Sequence, residues 1–96
     1  MGVKTRPFDP AEYLRSEQDI VEYLNIWLED GTPREIARAL GDVARSQGMT
    51  EIARKAGVGR QALYSALSEN GNPTLETLTS VLSALGLQLT VQKRAA

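Results

Sequence analysis

The chain has 96 residues, 42% hydrophobic and 24% charged, which allows one domain with a modest core and is ordinary for a soluble globular protein. It contains no cysteine and no histidine, so disulfides are excluded and zinc sites and catalytic triads lose their usual ligands and bases. Net charge is −1, but Met1 to Gly48 carries six Lys/Arg against nine Asp/Glu, and Met49 to Ala96 carries five against three. The halves differ in sign, a pattern that fits one partner per half or a chance fluctuation of solvated charge.

Residues 1–31 form the first segment. Asp9-Pro10 reads as a helix start, since aspartate caps and proline fits the first turn. Ile20, Leu24, Trp27 and Leu28 then form one stripe at i, i+4, i+7 and i+8. Val21, Tyr23 and Ile26 fall outside that stripe. A helix so apolar all round is either wrapped by its own domain or shared with a partner.

Residues 32–86 form the second segment. Thr32-Pro33-Arg34-Glu35 reads as a capping box with proline in the first turn. Ile36, Leu40, Val43 and Ala44 mark the core face of the helix that follows, and Gly48 ends it. Met49 to Ala56 is too short to be a stable helix alone. Gly57 permits the left-handed backbone that ends it. A second short helix runs from Arg60 to Leu67 and buries Leu63, Ala66 and Leu67. Asn70-Gly71 reads as a turn. Asn72-Pro73 is expected to cap a last helix with Leu75, Leu78, Leu82 and Leu85 on one stripe, ended by Gly86.

Residues 87–96 close the chain. Leu87-Gln88-Leu89-Thr90-Val91-Gln92 alternates apolar and polar, which is strand periodicity. A lone strand leaves its backbone unpaired. Pairing with its own copy through Leu87, Leu89 and Val91 would give a homodimer. The other readings are a loose tail or an edge against a partner.

The spacing Ala53–Gly57–Leu63 is a helix-turn-helix pattern, and an ordinary helical hairpin is the plainer reading. Arg60, Gln61, Tyr64 and Ser65 project together from the second helix. Arginine and glutamine have forked groups that match guanine and adenine edges, and the second helix of such a motif lies in the major groove. Arg60 and Gln61 are therefore the expected base readers, with Tyr64 and Ser65 beside them. Thr50, Ser68, Asn70 and Asn72 are expected on phosphates, with Gly59 opening the reading helix and Lys55 and Arg54 adding charge.

The run MTEIARKAGVGRQALYSALSENGNPTLETLTSVLSALGL resembles the lambda-repressor-like helix-turn-helix domains. With FDPAEYL and DIVEYLNIWLEDG upstream, the chain resembles HigA-type addiction-module antitoxins over Phe8 to Val91. The resemblance implies an all-α, five-helix helix-turn-helix domain with an N-terminal helical extension and a short C-terminal strand paired across a dimer. It also implies an antitoxin that neutralises a small, basic RelE/ParE-like toxin and represses its own operon as a dimer on operator DNA. Seven carboxylates stand against one cation, Arg15, between Phe8 and Asp30, and such a segment suits a basic toxin surface. Tyr13, Leu14, Tyr23 and Trp27 are the expected toxin contacts, each equally readable as core. Two positions depart from the wider repressor pattern: Met49 stands where a phosphate-binding glutamine is common, and Gly59 where serine or threonine caps.

There is no phosphate-binding glycine loop, no run long enough to span a membrane and no apolar signal core in MGVKTRPFDP. The expectation is a cytoplasmic protein with no cofactor, no metal and no enzymatic activity. The competing readings are a dimeric transcription regulator without a toxin and an interaction module that has left DNA.

Overall fold

A computed structural model describes residues 14–68 and 70–95 of the chain. Its described residues form five helices: α1 Glu17–Asp30, α2 Pro33–Gln47, α3 Met49–Ala56, α4 Arg60–Ala66 and α5 Leu75–Ala84. The architecture is all-α. None of the helices is long and apolar enough to cross a membrane.

Local chemistry explains most helix starts. The Thr32 hydroxyl accepts from the Glu35 amide while the Glu35 carboxylate accepts from the Thr32 amide, as the sequence predicts. The Asp9-Pro10 start lies outside the described residues. The helix bearing the Ile20–Leu24 stripe begins at Glu17, where Ser16 and Asp19 form a second capping box. The last helix also starts later than expected. Its cap is Thr74, whose hydroxyl accepts from the Thr77 amide, rather than Asn72. Thr74 lies one residue beyond Pro73, and its side chain reaches the third helical amide, the geometry a cap needs. This start leaves Leu75 70% exposed, so the buried stripe of α5 runs through Val81 and Leu82, flanked by Leu78 and Leu85.

One core joins all five helices. Leu14, Ile20 and Leu24 from the N-terminal segment lie in the same buried cluster as Leu40, Val43, Ile52, Leu63, Leu67, Val81 and Leu82. Four helices thus fall within 32–86 and the fifth, α1, packs on them through α2. Burying each such leucine contributes about 1.5–3 kcal/mol relative to exposure. α3 and α4 need that contribution, because helices of 8 and 7 residues are unstable alone.

The α3–α4 joint is tight. Gly57 has φ +73, in the left-handed region. The Val58 amide donates to the Ala53 carbonyl at 3.1 Å and the Gly57 amide to the Arg54 carbonyl at 3.2 Å, so the freed carbonyls of α3 are satisfied within the turn. A second close approach joins α2 to the end of α4. A Cβ on Gly41 would lie 2.7 Å from the Leu67 carbonyl oxygen.

Beyond α5, residues 87–95 form neither helix nor strand. The Leu87 amide turns back to the Leu82 carbonyl at 2.8 Å, and Leu87 packs against the core. Within the single chain, the described residues supply no strand edge with which 88–95 could pair.

Candidate functional site

Two unlike surfaces flank the core. The first is the outer side of α4. Leu63 on its inner side is buried, while Arg60, Gln61, Tyr64 and Ser65 are all exposed, Tyr64 at 50%. The α-helical repeat groups residues 60, 61, 64 and 65 on one face, beside the buried stripe of 63 and 67. Gly59 precedes α4 and supplies no side-chain cap to its first amides.

Around that face, Thr50 at the start of α3 and Asn70 and Asn72 after α4 are exposed. Ser68 is partly buried and its hydroxyl donates to the Ser65 carbonyl at 2.8 Å. Arg54 is paired with Glu51 one turn earlier on α3, and the bonded guanidinium holds the Glu51 carboxyl below its usual range. Arg60 and Lys55 have no ion pair with a described residue. Met49 is buried in the core.

The second surface is α1. Its expected contact residues divide. Tyr13 lies outside the described residues. Leu14 is buried at 3% exposure and belongs to the core. Tyr23 and Trp27 are partly buried and form an internal network with α2. The Tyr23 hydroxyl donates to Asp42 Oδ2 at 2.7 Å, and Arg45 holds the other carboxylate oxygen. The rings of Tyr23 and Trp27 meet edge to face, with centroids 6.4 Å apart. The Arg38 guanidinium stands 5.2 Å from the Trp27 ring centre, within cation–π range.

Sequence reading missed this network because Asp42 lies beside the core face of α2, where a carboxylate is seldom buried. Asp42 is nonetheless only 6% exposed. The available signal was Arg45 three residues on, a helical neighbour able to neutralise it. Among the described residues, no buried side-chain polar atom lacks a partner, and no acidic cluster could hold a metal.

Burial raises the Tyr23 hydroxyl to about 12, aided by the bond to Asp42 and by its negative charge, against the opposing charge of Arg38. The folded chain therefore resists losing that proton. The resulting stability is complete below about pH 10 and is lost as pH rises through about 12. Tyr23→Phe is expected to flatten the stability curve over that window, read by urea unfolding at stepped pH, and to lower stability at neutral pH. An unchanged alkaline slope in Tyr23→Phe counts against the Tyr23–Asp42 bond.

Comparison with known proteins bears on both surfaces. A family model described as "probable addiction module antidote protein" matches residues 4–93. A Haemophilus influenzae protein, itself described only as uncharacterized, is 47% identical over 93 residues, which cover 97% of this chain and 96% of that protein. No solved structure matches the chain. With nearly its whole length matched, from the acidic helix through the exposed face of α4, the chain belongs to the addiction-module antidote family.

Proposed function

We propose that this chain is the antitoxin of a type II toxin–antitoxin module, that it neutralises a small basic toxin of the RelE/ParE-like (HigB) kind, and that it represses its own operon. The observation that carries the reading is the pairing of two unlike faces on one core. The α1 face is acidic, and the α4 face presents Arg60 and Gln61 at the start of a short exposed helix.

On DNA, α4 enters the major groove with its N-terminal end nearest the bases. Arg60 donates two hydrogen bonds to guanine O6 and N7, and Gln61 pairs with adenine N6 and N7. Thr50, Asn70 and Asn72 meet phosphates, with Lys55 adding charge, and these contacts set register. Ser68 is already bonded to the Ser65 carbonyl and braces the end of α4. Arg54, tied to Glu51, adds little net charge.

So few cations give one subunit weak, salt-sensitive binding. A dimer reading two half-sites recovers affinity. Leu89, 41% exposed, and Val91, fully exposed, support pairing of residues 87–92 with a second copy about a two-fold axis. Such pairing supplies the backbone partners that the single chain lacks.

The test is co-expression with the small basic protein encoded beside this chain's gene, followed by capture, a growth assay and binding to the upstream DNA. Capture and rescue of growth support the antitoxin reading; an absent basic neighbour, or one that is not captured, overturns it. Arg60→Ala and Gln61→Ala are each expected to cost about 1–3 kcal/mol of operator discrimination. Unchanged operator affinity in both variants, with the melting temperature intact, removes α4 as the reading helix. Sedimentation of the free chain and of the DNA complex reads the subunit count.

A further inference from the structure

Ile26 lies outside the core. It sits in the middle of α1 and is 64% exposed. One exposed isoleucine is common on protein surfaces and carries no meaning alone. Its helical neighbours give it one.

Residues three or four apart along a helix lie side by side. On one flank of Ile26 stand Tyr23 and Trp27, both partly exposed. Both rings are held from within: Asp42 accepts from the Tyr23 hydroxyl, and the Arg38 guanidinium lies over Trp27. Their outer edges stand on the Ile26 side of α1. On the other flank stand Glu22 and Glu29, and Asp30 lies one turn along the axis on the side of the rings; all three are exposed. None of the three forms an ion pair with a described residue. Among the described residues Glu22 accepts from Gln18, at 3.0 Å.

We infer that Ile26, shouldered by Tyr23 and Trp27 and rimmed by Glu22, Glu29 and Asp30, is the anchor by which this chain docks a basic protein partner. The inference rests on the antitoxin reading and names the residues that make the contact. The partner presents an apolar pocket for Ile26 with lysines or arginines around its mouth.

Charge selects that partner. A second copy would bring like-charged rims together, which costs free energy. Nucleic acid and anionic lipid are repelled by the same carboxylates. A basic protein surface is attracted, and the rim then speeds encounter while the desolvated centre supplies affinity. Because Tyr23 and Trp27 are already held from within, docking immobilises few side chains, which lowers its entropic cost.

The arrangement also gives Tyr23 and Trp27 a place in the contact. They act as fixed walls of the patch, and Ile26 is the group that enters the partner. Truncating the walls disturbs the α1–α2 seam as well as the contact, so Ile26 is the position that separates binding from folding.

The experiment measures binding of the small basic protein encoded beside this chain's gene to this chain, with affinity read by calorimetry and association rate by stopped-flow mixing. Ile26→Ala is expected to weaken binding by about tenfold or more, with the melting temperature held. The triple variant Glu22→Gln, Glu29→Gln, Asp30→Asn is expected to slow association and flatten its salt dependence. If the wild-type chain binds and Ile26→Ala binds equally well, the anchor is wrong and the antitoxin reading stands. If the wild-type chain does not bind, the antitoxin reading fails and the anchor falls with it. If the triple variant associates as fast as wild type at low salt, the acidic rim has no part in docking, and the proposed choice of partner is overturned.

Discussion

Leu63→Ala is expected to lower the free energy of unfolding by about 2–5 kcal/mol. Leu63 is 1% exposed and among the largest fully buried side chains of the chain. Truncation removes the transfer free energy of its methyl groups and leaves a cavity under α4, which the neighbouring helices close only in part. A domain of this size has about 5–15 kcal/mol in total, so the loss is a large share. With about 4–8 °C per kcal/mol in a domain of this length, the melting temperature falls by roughly 10 °C or more. Leu75→Ala is the control. The same chemistry at a 70% exposed site is expected to change stability by no more than about 0.5 kcal/mol. Thermal unfolding followed by circular dichroism separates the two. Equal effects from both would mean that α4 is not seated on the core. A functional consequence follows, because the 7-residue α4 holds no helix without that seat. On the DNA-binding reading proposed above, operator affinity of Leu63→Ala should fall as α4 loses its seat.

Gly41→Val is expected to destabilise by about 3 kcal/mol, at the upper end of overpacking costs, and Gly41→Ala by less. Helix propensity alone predicts the opposite sign. Glycine inside a helix is about 1 kcal/mol worse than alanine, so alanine at an open helical site would stabilise. Gly41 is not at an open site. An added Cβ would meet the Leu67 carbonyl oxygen at 2.7 Å and the Arg45 guanidinium at 3.3 Å. The guanidinium is the end of a flexible side chain and can move. The carbonyl belongs to the backbone at the end of α4 and moves only if α4 does. The clash therefore outweighs the propensity gain. A stabilised Gly41→Ala in chemical denaturation would show that α2 and α4 stand further apart. The same displacement tilts the exposed face of α4, so on the proposed DNA-binding reading operator affinity should fall further than stability alone explains.

The two substitutions mark the border between what was legible in the residues and what was not. The seating of α4 was readable: Leu63 and Leu67 form one apolar stripe, and Arg60, Gln61, Tyr64 and Ser65 are the polar face beside it. The reason for Gly41 was not readable, because its contact, the Leu67 carbonyl, lies 26 positions along the chain. α1 shows the same division. Its Ile20–Leu24 stripe was visible as periodicity, and both residues are buried. Tyr23 and Trp27 stood out as aromatic contact residues, yet they are half committed to Asp42 and Arg38 on α2. Ile26 fell outside the stripe by spacing, and it is the one left exposed.

By itself the sequence determined where most of the helices begin and end. The Thr32–Glu35 box, the left-handed Gly57 and the positive-φ Gly48 and Gly86 depend on bonds and backbone preferences within a few residues, which local chemistry is enough to set. It determined the acidity of the N-terminal segment and the polar face of α4 for the same reason. Only the tertiary structure decided the burial of Leu14 and Asp42, the pairing of Tyr23 and Trp27 with α2, and the close approach of α2 to α4. Each of these depends on what a helix meets across the core, and residues far apart in the chain meet only when all five helices have packed.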